Sequence, residues 1–93
     1  MSKEDEIKKE VLDLYSSYAL KLGRDTSTIT ADTILAFPAG LKLTVIQRKS
    51  LKPDLNKILN RENAKLFVND DVTSFIKIKD AQSKVWDRIK SRE

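Results

Sequence analysis

Ninety-three residues suffice for one compact domain, and a mix of 40% apolar and 34% charged residues is that of a globular chain. The formal charge is +4, and there is neither cysteine nor histidine. Those absences exclude disulfides, zinc thiolate clusters, thiol nucleophiles, imidazole acid-base chemistry and the usual serine triad. No cluster of Asp, Glu, Lys or Tyr stands out in their place, so the expectation is a protein that is not an enzyme, with no metal site and no cofactor.

The first ten residues are highly charged and include acids, unlike a signal peptide or transit sequence, and no apolar run approaches the roughly 20 residues that cross a bilayer. A cytoplasmic location, or a nuclear one in a eukaryote, is therefore expected, without membrane contact.

Residues 3–22 carry the clearest helical pattern, because Ile7, Val11, Leu14, Tyr15, Tyr18 and Leu22 recur at three- and four-residue spacing. Ser2 is placed to cap this helix with Asp5 three residues on, the acids Glu4, Asp5 and Glu6 suit its positive end, and Gly23 provides a stop. A short second helix is predicted through Ala31, Ile34, Leu35 and Phe37, ended by Pro38. Residues 41–50 fit two patterns. Leu41, Leu43 and Val45 alternate as in a strand, while Leu43 and Ile46 also fit a helix. We expect an extended piece at 41–43 and then a helical turn or two at 44–51 capped by Thr44. Pro53 suits a first helical turn, and Leu55, Ile58 and Leu59 continue a short amphipathic helix over 53–61.

Beyond it, 64–68 is apolar, Asn69, Asp70 and Asp71 are turn formers, and Phe75, Lys77 and Lys79 alternate with Ile76 and Ile78, which predicts a β-hairpin. Asp80 is the expected cap of a last helix at 80–91, with Ala81, Val85 and Ile89 on one face and Trp86 beside them. The fold expected is mainly α with a small β-hairpin, an α+β domain spanning 1–93.

The extended LKLT, the two short helices TVIQRKSL and PDLNKILN, and the hairpin AKLFVNDDVTSFIKIK together resemble a winged helix-turn-helix domain over 31–79, flanked by the helices at 3–22 and 80–91. The resemblance implies that 53–61 is a recognition helix for the major groove of duplex DNA and that 68–75 is the wing tip. Because that tip carries Asp70 and Asp71, contact is expected from the helix and the strand flanks.

Charge points the same way. Residues 41–65 hold seven basic residues against Asp54 and Glu62, so +5 of charge lies there and the rest of the chain sums to −1. Arg48, Lys49, Lys52, Lys57, Arg61, Lys65 and Lys77 are the candidate phosphate contacts, and Asn56 and Asn60, four apart on one helix face, the candidate readers of base edges. The same lysines also suit a solvated surface, and Lys77 a guarded sheet edge. Ile7, Val11, Leu14, Tyr18 and Trp86 offer an apolar face for core packing or for a homodimer presenting two recognition helices. Two functions follow as expectations: a small DNA-binding regulator or accessory factor, or a protein-interaction subunit of a larger nucleoprotein assembly without direct DNA contact.

Overall fold

Ser2 opens the first helix as its position predicts, its hydroxyl accepting the Asp5 amide at 3.2 Å. In the computed structural model, which describes residues 2–27, 29–35 and 40–91, helix α1 runs Lys3–Lys21, and Gly23 follows in the left-handed conformation at φ +76°. Ile7, Val11, Tyr15 and Ala19 recur every four residues and are fully buried. This stripe packs on α5 (Ile78–Ser91), whose Ile78, Ala81, Val85 and Ile89 face it from the same core. Gln82 locks the pair, its side-chain amide donating to the Lys8 carbonyl at 2.8 Å.

Between these two helices the described residues fold three shorter ones. Helix α2 covers Val45–Ser50, α3 covers Lys52–Arg61 and α4 covers Asn69–Thr73. Thr44 caps α2 in a reciprocal capping box, its hydroxyl accepting from the Gln47 amide while the Gln47 side chain accepts from the Thr44 amide. Leu51, fully buried, separates α2 from α3, and Pro53 sits in the first turn of α3, where a missing N–H costs nothing. Leu55, Ile58 and Leu59 then turn inward. The left-handed Asn63, at φ +57°, ends the helix and lets the Ala64 amide reach back to the Leu59 carbonyl.

Two predicted elements differ. The fold is predominantly α, and the β-hairpin over 64–79 is absent. Asn69, Asp70 and Asp71 form the first turn of α4, with the Asp71 carboxylate accepting the Val68 amide at 3.0 Å. Turn formers and the acidic start of a helix have the same composition, so the triplet satisfied both templates. The apolar residues that alternated on paper bury at three-residue spacing instead, Val72, Phe75 and Ile78 inside and Ile76 outside. Without the hairpin there is no wing, and the winged-helix-like core is withdrawn as the architecture.

The short helix expected at 31–37 is likewise not formed in its described part. Residues 31 and 32 form a turn that the Thr33 amide closes on the Thr30 carbonyl, and 33–35 then lie against 76–79: Leu35 donates to the Ile76 carbonyl, Ile78 to Thr33 and Lys79 to Ala31, with one antiparallel bridge at Ile34 and Lys77. Partners across space replaced the i to i−4 ladder for this Thr- and Ile-rich stretch, where β-branching disfavours a helix. Phe37 and Pro38 lie outside the described residues. The piece expected to be extended at 41–43 is not extended throughout: Leu41 ends a turn with its amide on the Ile34 carbonyl, Lys42 is left-handed at φ +56°, and Leu43, buried like Leu41, takes a strand-like position with its amide on the Leu35 carbonyl. The last helix begins at Ile78, and Asp80 serves it from within the first turn, one carboxylate oxygen accepting the amides of Ile76 and Lys77.

Candidate docking surface

Of the predicted contact residues on α3, Asn56 and Arg61 are engaged inside the fold. Asn56 grips the backbone of Phe67 from both sides, Nδ2 donating to its carbonyl at 3.2 Å and Oδ1 accepting its amide at 2.7 Å. Both functions of the amide are occupied, so it holds the 62–68 connection down and is not free to read a base. Arg61 makes a bidentate fork onto Glu10 of α1 at 3.0 and 2.8 Å and also reaches Glu62. Lys57 lines a groove of about 410 Å³ between α1 and α3 together with Glu10, Asp13 and Asp54. Lys57 and Asn60 of this set are exposed, and neither side chain makes a hydrogen bond or an ion pair among the described residues.

Glu62 sits at the centre of this α1 to α3 seam, nearly buried, with Lys3 at 2.8 Å and Arg61 at 3.3 Å. The bonded Lys3 ammonium, and secondarily Arg61, hold its carboxyl below the usual value of 4.5 against the opposing effect of burial. Glu10 in turn favours the charged form of Arg61. The network joins two elements 51 residues apart in the chain, so its function is architectural.

The cations outside the α1 to α3 seam are different. Lys42 and Lys49 are exposed, Lys52 and Lys77 half-exposed, and none has a carboxylate partner among the described residues. Lys65 is exposed too, with its carbonyl held by Arg88. Arg48 lies flat, its guanidinium donating to the carbonyls of Thr44 and, at 3.3 Å, Thr73, so it ties α2 to the end of α4.

Among these cations the structure places an apolar surface that charge counting missed. Helix α2 buries none of its side chains, and it presents Val45 and Ile46 to solvent at 48% and 77% exposure. Ile76, three residues beyond the Thr73 carbonyl that Arg48 holds, is 59% exposed. The row of backbone bonds from Leu43 through Leu35 to Ile76 links this residue to the strand-like segment that leads into α2. A signal was present in the sequence: Val45 fits the strand pattern and Ile46 the helical one, and neither continues a buried stripe.

The proposed dimer face divides. Ile7 and Val11 are fully buried within the chain's own core and have no surface to offer a second copy. Leu14, Tyr18 and Trp86 are half-buried and pack against that core. Among the described residues no helix is long and apolar enough to cross a membrane.

With this geometry in view, the comparisons with known proteins add nothing. No family model, curated protein or solved structure matches the chain.

Proposed function

We propose that this protein is a small helical interaction module that docks an acidic, amphipathic segment of a partner protein on α2 and its flanks. The observation that carries the reading is the helix itself. Six residues form a capped turn and a half, none of them fully buried, and leave Val45 half-exposed and Ile46 exposed near unpaired lysines. A solvated helix needs no aliphatic pair there, and a phosphate-binding surface gains nothing from one.

Magnitudes fix the chemistry of the partner. Fully burying an aliphatic side chain contributes roughly 1.5–3 kcal/mol, so covering the exposed parts of Val45, Ile46 and Ile76 is worth roughly 3–5 kcal/mol. That corresponds to about millimolar affinity before any cost of association is subtracted. Apolar contact alone is therefore too weak, and the charges of Lys42, Lys49, Lys52 and Lys77 must be answered by carboxylates, which steer encounter and select the partner.

Duplex DNA is the competing occupant, favoured by the local +5 but left by the fold without a wing and with Asn56 and Arg61 engaged elsewhere. Backbone amide NMR at about 150 mM salt separates the two. A synthetic amphipathic peptide with Leu on one face and Glu on the other is expected to shift the amides of 42–50 and 76–77. A 20-base-pair duplex is expected to leave them unmoved. Shifts with duplex and none with peptide would overturn the reading.

A further inference from the structure

The groove between α1 and α3 is tied at one end and open beyond it. Arg61 joins Glu10 across it at 2.8 Å, and Lys3 reaches Glu62 at 2.8 Å on the far side of that tie. The open part, about 410 Å³, is as large as many ligand sites, and Leu14, Tyr18 and Ile58 supply its apolar lining. Leu14 and Tyr18 are half-buried and pack against the core, so this lining is held in place from beneath.

Four further charged side chains line the groove, and none of them has an ion-pair partner among the described residues. Counting away from the tied end, α1 presents Asp13 and then Lys21, while α3 presents Lys57 and then Asp54. Each wall changes sign along the groove, and the two walls change in opposite senses. Acids and bases that share one groove without bonding are held apart by the space between them, which an occupant with charges of its own can fill.

Length selects the occupant. Asp13 and Lys21 are eight residues apart on one helix, which is about 12 Å of rise. A small zwitterion carries its two charges within a few bonds of each other and can answer only one end. A helix repeats side chains over that same rise, and its apolar stripe suits the lining of Leu14, Tyr18 and Ile58.

We infer that the groove seats an amphipathic helix of a partner protein, about three turns long, with an acid and a base flanking its apolar stripe at each end and their order reversed between the ends. That pattern answers Asp13, Lys57, Lys21 and Asp54 together, so the partner is selected by charge order and not by net charge. No residue of α2 lines the groove, and the two docking surfaces therefore stand or fall separately.

Backbone amide NMR of the full chain at about 150 mM salt tests this with two synthetic Leu-striped helical peptides. One carries Lys and Glu in the complementary order, and the other has every Lys and Glu exchanged, so composition and net charge are equal. The complementary peptide is expected to shift the amides of 10–21 and 54–58 and to bind at least about fivefold tighter than the exchanged one. Lys57→Glu, a change at an exposed position, is expected to cut that preference about threefold or more. Asp13→Lys combined with Lys57→Glu should restore tight binding to a peptide exchanged at one end only. Equal affinity for the two peptides, no shift with either, or shifts confined to 42–50 and 76–77 would overturn the inference. Groove amides that move with protein concentration in the absence of peptide would overturn it in favour of a second copy of the chain.

Discussion

Replacing Asn56 by alanine removes both bonds that its amide makes to Phe67, and with them the device holding the 62–68 connection against α3. The Phe67 N–H and C=O then lose their partner in a half-buried site. An average hydrogen bond contributes about 1 kcal/mol net, and leaving a buried partner unsatisfied costs about 1–3 kcal/mol. Two bonds at 2.7 and 3.2 Å in a site that water partly reaches give an expected loss of about 2–4 kcal/mol. Against the roughly 5–14 kcal/mol typical of a chain this size, that is a large fraction. Phe67 also carries the edge contact with Phe75, centroids 5.5 Å apart, and the Arg88 guanidinium 5.1 Å over its ring, so loosening its backbone disturbs packing as well. Urea unfolding of Asn56→Ala beside Asn60→Ala measures the difference. The exposed Asn60 should change stability by less than about 0.5 kcal/mol. If Asn56→Ala unfolds within that same margin of the parent, the structural role assigned to its amide is wrong.

Three further outcomes follow. Gly40 lies at φ +57° with the Ile34 carbonyl directly against the position a Cβ would take, whereas nothing approaches that position at Gly23. Gly40→Ala is therefore expected to lower the melting temperature well beyond Gly23→Ala, which bears the left-handed strain alone, as a pair of thermal scans will show. Glu62 has a folded pKa below its unfolded one, so its contribution to stability is full above about pH 4.5 and is lost as pH falls through the folded value. Glu62→Gln should flatten the acid limb of the stability profile while changing its slope little near pH 7. The Glu10 and Arg61 pair is about half exposed, and a double-mutant cycle should return a coupling of roughly 0.5–1 kcal/mol that shrinks in high salt.

Caps and stripes made much of this fold legible from sequence. Ser2, Thr44, Pro53 and Gly23 mark helix ends by chemistry that acts within a turn, and the four-residue recurrence of Ile7, Val11, Tyr15 and Ala19 leaves one face to bury. The region after α3 was not legible for an equally local reason. Asn69, Asp70 and Asp71 suit a turn and a helix start alike, and only the inward placement of Val72, Phe75 and Ile78 decides between them. Residues 31–35 depended on partners at 76–79, more than 40 positions away, which no local pattern reveals.

The candidate site shows the same division. Counting located the basic charge in 41–65 but not what answers it. Glu10 on α1 takes Arg61, and the Phe67 backbone takes Asn56, so the two groups most suited to a nucleic acid are held within the chain. Lys49 remains outward on an α2 that places no residue fully in the core, and that fact is visible only once Leu43 and Leu51 are seen to be the anchors.

The central claim is that the α2 face exists for a partner rather than for the fold, and Ile46→Ser tests it most directly. The side chain is 77% exposed and buries nothing of its own, so the substitution should leave unfolding within about 0.5 kcal/mol of the parent. The same variant should weaken binding of the Leu- and Glu-faced peptide by roughly fivefold or more, the loss of about 1 kcal/mol of apolar contact. Unchanged peptide affinity in a stably folded Ile46→Ser protein would contradict the account.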